Sequence, residues 1–463
     1  MKSKKLLFIM LAAILAAALL AGCGGAATTA ATTAATTAAT TAAATTTTQA
    51  TTTTTTEAAK EKVTLKVLHS DTTEGFAQVF YDYSEVDPNV EVTFQAVEGS
   101  SYETILATAI QSGDAPDFFS TLGFSSPHLV GLVNDGVVQP LDDLIGDVSG
   151  FPVTTQKWFK VNGKLYQTPC YLGDICVVFY NTDLFEQFGF AEPLTYDEMD
   201  QMAQTFLENG ITPYSIAAKD ESSPIWHFVE LLHATNFDWI QGYPKSGAKL
   251  TDPEVLNAAQ RYYDQMKAGY FGTDFTAVDA NGAWMAMVNG LAAMKCDGSW
   301  AESFASQLDA QNISCFYIPT TDGRLIGPGA SPNQGYCLNL YSKTQHMDEA
   351  VEFLKYWISV PTQQKLANLG HAVVLSSTGG ASITSPSPLM NKMIDSRMIT
   401  STSVVSKSGP ISAAGLNPRA VLSQALQKLL YDRCTPEEFV AEFATCVDYS
   451  KVGNEDYSNV YDE

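Results

Sequence analysis

The chain has 463 residues, 45% of them hydrophobic and 16% charged, which is more than one hydrophobic core usually fills, so two domains or lobes are expected. Its formal net charge is −24, with 50 acidic residues against 26 lysines and arginines, and that field repels polyphosphate and argues against a nucleic-acid partner. Beyond Gly25 no long apolar run occurs, so the sequence offers no further membrane-spanning candidate.

Met1–Gly25 opens with Lys2, Lys4 and Lys5, continues with an apolar run from Leu6 to Leu20, and ends in Leu20-Ala21-Gly22-Cys23. A spanning helix needs about 20 apolar residues and lacks such a small-residue ending. The segment resembles a bacterial lipoprotein signal. That resemblance implies removal of residues 1–22, acylation of Cys23, and a place at the cell surface on the outer face of the cytoplasmic membrane. Each buried methylene contributes about 0.8 kcal/mol, so several acyl chains hold where one does not. Residues 23–61 then read as the lipidated cysteine and a disordered tether, because Ala26–Thr56 is almost wholly alanine and threonine and has nothing with which to build a core.

The folded part begins near Lys62. Val63, Leu65 and Val67 alternate with polar residues, as do Val90, Val92, Phe94 and Ala96, and each set predicts a half-buried strand. Between them Gly75–Val86 predicts a helix with Phe76, Val79, Phe80 and Tyr83 on one face. Ser100–Glu103 predicts a capping box opening a helix through Ile110, in which Glu103 serves as cap. Asp117–Ser120 reads as a short strand and His128–Asn134 as a short helix. Further strands are expected at Asp174–Tyr180, Leu291–Lys295, Cys315–Ile318 and Tyr336–Tyr341. Thr195–Glu198, Thr251–Glu254 and Thr435–Glu438 are helix starts, the last two carrying a proline, Pro253 and Pro436. Strand and helix alternate throughout, which argues for an α/β layered fold.

Seven cysteines remain after Cys23, and none forms C-x-x-C. Most sit in apolar settings and read as small core residues, while Cys434 and Cys446 are candidates for a bridge. No spacing for a zinc protease, serine hydrolase, phosphate loop or dinucleotide fold is present. His227 and His233 lie at the wrong interval to meet one metal from one helical face. No catalytic residue, metal or cofactor is therefore expected, although a distant carboxylate pair of a polysaccharide hydrolase leaves no local signature.

Several longer blocks carry a resemblance. They are Ser112-Gly113-Asp114-Ala115-Pro116-Asp117, Leu132–Leu141, and Gly163-Lys164-Leu165-Tyr166-Gln167-Thr168-Pro169 followed by Tyr180-Asn181-Thr182-Asp183-Leu184-Phe185. Gly189 with Pro193–Glu198, Ala293–Trp300, Gly335–Leu338, Glu349–Leu354 and Arg433–Glu438 complete the set. Tyr196 stands where the pattern usually has tryptophan. Together they resemble the extracellular solute-binding proteins of ABC importers, in the carbohydrate-binding group that includes maltose-binding protein. The resemblance implies an α/β, two-lobe periplasmic-binding-protein type II fold with the ligand cleft between lobes. Lobe 1 is expected at 62–172 and 331–380, and lobe 2 at 173–330 and 381–463.

What the resemblance implies for function is a non-enzymatic receptor, acting as a monomer, that closes on a mono- or oligosaccharide and delivers it to the transmembrane subunits of an ABC permease. A polyamine, peptide or metal chelate is the alternative cargo, and a surface polysaccharide hydrolase the alternative class. A sugar site needs aromatic plates and converging polar groups. Trp300 is the first candidate plate, with Gly298 expected to make the turn that presents it, and Trp226 is the second. Asp174 stands before the crossing strand as a hydroxyl acceptor, with Tyr171 beside it. Ser70 and Asp71 follow the first strand, where loops face a cleft. Tyr102, Phe124 and Ser125 are further candidates, and Asn417 and Arg419 weaker ones.

Overall fold

Strands and helices alternate along the computed structural model, which describes residues 62–453 apart from 72–74, 98–100, 122–126, 153–155, 157, 220–222, 329–330, 333–335, 371, 376–378, 395–398 and 414–415. In chain order, the strands of the three sheets around the site are β1 (Val63–His69), β2 (Val90–Ala96), β3 (Phe118–Phe119), β4 (Leu172–Asp174), β5 (Cys176–Asn181), β6 (Thr212–Tyr214), β7 (Ala292–Gly298), β8 (Ile313–Phe316), β9 (Ser331–Pro332), β10 (Asn339–Leu340) and β11 (Val373–Val374). The helices that matter below are α1 (Phe76–Tyr81), α2 (Ser101–Ser112), α3 (Tyr196–Glu208), α4 (Ser223–Thr235), α5 (Pro253–Ala268), α6 (Met347–Trp357), α7 (Pro418–Leu430) and α8 (Pro436–Ala444).

The first sheet has the order β10-β3-β1-β2, with β1 parallel to both neighbours and β10 antiparallel to β3. Its core is aromatic. Phe80 stacks on Trp357 at 4.3 Å, Phe118 meets Phe353 at 4.9 Å, and the Trp357 indole donates to the Tyr336 carbonyl at 2.8 Å. Asp117 closes the Pro116-Asp117 block by accepting from the Lys66 amide at 2.7 Å and from the Thr344 hydroxyl. That motif is a brace on the edge of β1.

The second sheet has the order β8-β5-β7-β6. Cys176, Val178 and Tyr180 of β5 enter one core while Val177 and Phe179 enter another, so both faces of the strand are covered. A strand buried on both faces reads as a continuous apolar run, as β5 does. Asn181 ends it, accepting from the Leu184 amide at 3.0 Å and donating to the Met287 carbonyl at 2.8 Å. At α8 the Thr435–Glu438 capping box is reciprocal, with bonds of 3.3 and 2.9 Å.

Residues of the first core come from Leu65–Leu172 and again from Tyr336–Ile383, and those of the second from Cys176–Ile326 and Val404–Val447. A third sheet, β9-β4-β11, is antiparallel and only two or three residues deep, and its β4 and β9 fall in sequence where the chain passes from one core to the other. The result is a two-lobe α/β molecule. Cys434 and Cys446 are free thiols, as are the other five described cysteines, so the candidate bridge is not formed.

Candidate functional site

Four chain segments meet at one place: the end of β4 at Asp174, the end of β7 at Gly298, the first turn of α4, and the first turn of α7. Trp226 and Trp300 lie there with ring centroids 4.7 Å apart and planes inclined by 55°. Both are half-buried, each packing one side on the core of the second lobe. Gly298 has an ordinary extended conformation, φ −97° and ψ 170°, so the expected presenting turn is not why glycine stands there. The reason is close approach: a Cβ at 298 would fall 2.1 Å from the nearest atom of the Trp300 six-membered ring. The indole lies back across the glycine, which sets its position in the pair.

Polar groups border the two rings. The Arg419 guanidinium sits 5.3 Å from the centroid of Trp226, a cation over an indole. Asn417 caps α7 by accepting from the Arg419 amide at 2.9 Å, and so fixes the residue at the helix start. Burial holds the Arg419 pKa below the usual guanidinium value, while Cys176 and Asp174 pull it back up. Ser299 accepts from the Ile175 amide at 3.3 Å and donates to Asp174 at 3.4 Å, so the hydroxyl ties β4 to the residue before Trp300. Asp71 and Asp174 both act on the buried Tyr336 phenol, whose pKa rises through burial first and then through these two charges. Asp71 is itself pinned after β1, its amide donating to His69 Nδ1 at 2.9 Å, and Ser70 beside it is exposed.

The structure thus brings Trp300, Trp226 and Asp174 together with the weaker candidate Arg419, and adds Ser299. It gives two other candidates internal work instead. The Tyr102 hydroxyl faces the Leu68 and Ser120 carbonyls at 3.2 and 2.9 Å and accepts from the Ser120 amide at 3.0 Å, in a core that locks α2 against the ends of β1 and β3. Burial pushes its pKa up to about 12. Tyr171 stacks on Phe151 at 4.2 Å inside the first core and is 8% exposed. Each ring has an apolar partner inside its own lobe, which accounts for its position without a ligand. Phe124, Ser125 and Cys23 lie outside the described residues.

Two further residues escaped the sequence reading. Lys295 and Asp297 point the same way from β7 and pair at 3.1 Å with side chains 2% and 11% exposed. A buried pair two apart on a strand is visible in sequence only as an oddity, charged residues inside Ala292–Gly298 where an apolar run is expected. Ser299 had a weak signal, a small polar residue between Gly298 and Trp300.

Two indole faces, a guanidinium, a carboxylate and a hydroxyl can hold a neutral, polyhydroxylated molecule by its faces and edges. The family model of the bacterial extracellular solute-binding proteins matches residues 69–364. A multiple sugar-binding protein of Streptococcus mutans is 22% identical over 324 residues, covering 66% of this chain and 73% of its own. A probable sugar-binding periplasmic protein of Brucella suis is 24% identical over 281 residues, 57% of this chain and 65% of its own. Among solved structures, a chitin oligosaccharide binding protein superposes with a TM-score of 0.69 at 21% identity, covering 83% of this chain and 97% of its own. The binding protein RafE in complex with raffinose does so at 0.64 and 19%, covering 84% and 100%. Among the described residues no helix is long and apolar enough to cross a membrane. The match over most of the folded body and the shared two-lobe architecture agree, and the chain belongs to the bacterial extracellular solute-binding proteins.

Proposed function

We propose that the chain is a lipid-anchored receptor that captures a mono- or oligosaccharide between its lobes and delivers it, unaltered, to an ABC permease. The observation that carries this reading is the inclined Trp226–Trp300 pair bordered by Asp174, Ser299 and Arg419. Sugar C–H faces pack on indoles, and sugar hydroxyls bond to the carboxylate, hydroxyl and guanidinium. The names of the similar proteins support it, since they refer to sugars, chitin oligosaccharide and raffinose. Arg419 beside the plates speaks against a polyamine, whose ammonium groups it would repel.

β4, β9 and β11 serve in this reading as the crossing segments between lobe 1 (62–172 and 331–380) and lobe 2 (173–330 and 381–463). Ser70 and Asp71 complete the cleft from the lobe 1 side. A ligand held from both sides favours the closed state only by its difference in affinity for the two states. Cys23 carries the lipid, Ala26–Thr56 spaces the body from the membrane, and a monomer meets the two transmembrane subunits.

A thermal-shift screen of the mature chain against mono- and oligosaccharides tests the assignment. Ligand at a hundred times its dissociation constant should add about 2.7 kcal/mol of stability. A response to polyamines or peptides alone would transfer the protein to another cargo, and recovery of a cleaved sugar would make it a hydrolase.

A further inference from the structure

His227, Glu230 and Cys296 gather inside the second lobe, in contact with neither solvent nor the candidate sugar site. His227 and Glu230 share a face of α4 at i and i+3, and Cys296 reaches them from β7. One ligand atom of each lies within 4.8 Å of the others, and His227 Nδ1 is 3.1 Å from the Cys296 sulfur. We propose that these three side chains form a structural site for a divalent cation of the zinc type.

Hydrogen bonding around the cluster fixes its donors. The Gln265 amide nitrogen donates to the Tyr196 hydroxyl at 3.3 Å, which turns the Gln265 oxygen toward His227 Nε2 at 2.9 Å. His227 therefore carries its proton on Nε2 and aims the Nδ1 lone pair at Cys296. Metal-binding imidazoles are held in this way, by an outer partner on the other nitrogen. Cys296 has one proton to give, and Nδ1 stands ready for it. Glu230 is 3% exposed, and among the described residues its carboxyl faces only the Cys296 thiol, whose single proton His227 Nδ1 also claims. A buried carboxyl so poorly satisfied is a costly state and asks for an explanation.

A cation supplies one. Thiolate and carboxylate give two negative charges, the imidazole none, and a divalent ion leaves the cluster neutral, while the neighbouring Lys295 and Asp297 neutralise each other. A cavity of about 10 Å³ adjoins the three groups, walled by Tyr196, Met199 and Ile318. That volume is about what one water needs, and a water would fill the fourth tetrahedral position. A mixed sulfur, nitrogen and oxygen set of this size suits zinc better than magnesium or calcium. The site would pin α4, which carries Trp226, to β7, which leads to Gly298 and Trp300.

The test does not depend on sugar binding. The full mature chain is unfolded, then refolded with Co²⁺ alone, with Zn²⁺ alone, or with chelator, and freed of loose metal. The expected result is one metal ion per chain, a thiolate-to-cobalt charge-transfer band, and a melting temperature about 3 °C above the chelated protein at a hundredfold excess over Kd. Cys296→Ser should lose the band, Cys315→Ser should keep it, and Glu230→Gln should lose the zinc-dependent gain in melting temperature. Should Cys296→Ser fail to fold, the band in the unaltered chain and its loss in His227→Gln still decide. Absence of stoichiometric metal would show that the cluster holds protons only. A band that survives Cys296→Ser would place the metal elsewhere, and either result overturns the proposal.

Discussion

The two lobes use their aromatic and charged residues in opposite ways. In the first lobe Tyr102 and Tyr171 turn inward, the core is built of stacked rings, and the ion pair Lys66–Asp114 lies on the surface with side chains 57% and 78% exposed. In the second, Trp226 and Trp300 remain half-open beside the cleft, while Lys295, Asp297, His227, Glu230 and His233 are taken inside. A tyrosine hydroxyl with a backbone partner draws its ring into a core. A tryptophan pair satisfied by mutual contact can leave an edge for a ligand. The first lobe thus keeps these aromatic rings inside, and the second combines the candidate site with a core whose polar groups must be kept neutral or paired.

The largest effect separating the lobes should come from the ion pairs. Asp297→Asn leaves Lys295 buried without its partner and should cost about 3–5 kcal/mol in urea unfolding. Asp114→Asn, the exposed counterpart, should leave the unfolding midpoint where it was. Next comes Gly298→Ala, whose Cβ expels the Trp300 ring. Sugar affinity should fall about a hundredfold by calorimetry, equivalent to roughly 2.7 kcal/mol, and unchanged affinity would remove Trp300 from the site. Tyr102→Phe strands the Ser120 amide and should cost roughly 1–2 kcal/mol of stability while leaving sugar affinity alone. A loss of affinity there would return the first lobe to the recognition surface.

The remaining effect builds up gradually and concerns acid. His233 is wholly buried, neither nitrogen is hydrogen-bonded among the described residues, and burial lowers its pKa to about 3, with the charge of Lys407 adding to the shift. Below the ordinary value of 6.5 the unfolded chain binds a proton at this residue that the native chain refuses. Its contribution is thus intact above 6.5 and is lost as pH falls toward 3. Over that window each such histidine should add about 1.4 kcal/mol per pH unit to the acid slope. The difference between wild type and His233→Leu isolates this contribution, since Glu230 and the other carboxylates are common to both. Equal slopes would mean that water reaches His233.

Much of the frame was legible in the sequence. β1 and β2 appear where alternation places them, because Val63–Val67 and Val90–Val92 each send alternate residues into the first core. α8 begins where its capping box says, because both partners of that box lie within one turn. The reading weakened where distant groups intervene. Tyr336–Tyr341 is expected to be a strand, but only Asn339–Leu340 pairs as one: Gln167 takes the Cys337 carbonyl at 3.0 Å and the Thr168 amide takes that of Leu338 at 2.9 Å. The helix from Gly75 ends at Tyr81 and tightens into a 3₁₀ turn over Asp82–Glu85. At the candidate site, Trp300, Trp226 and Asp174 could be singled out because each adjoins a turn or an element end, and the structure places them near one another. The fate of Tyr102 was not, since Leu68 and Ser120 lie 34 and 18 residues away. Nor was the His227–Glu230–Cys296 cluster, because its third member is 69 residues from the first.

The closeness of Trp226 to Trp300 makes the molecule its own optical gauge. Two indoles whose centroids stand 4.7 Å apart share their near-ultraviolet excitation, so their circular dichroism depends on mutual orientation. Trp284 and Trp357, sealed in separate cores, contribute a steady background. Any occupant that slides along or between the open rings would therefore register as a change in one signal, without a dye or a label.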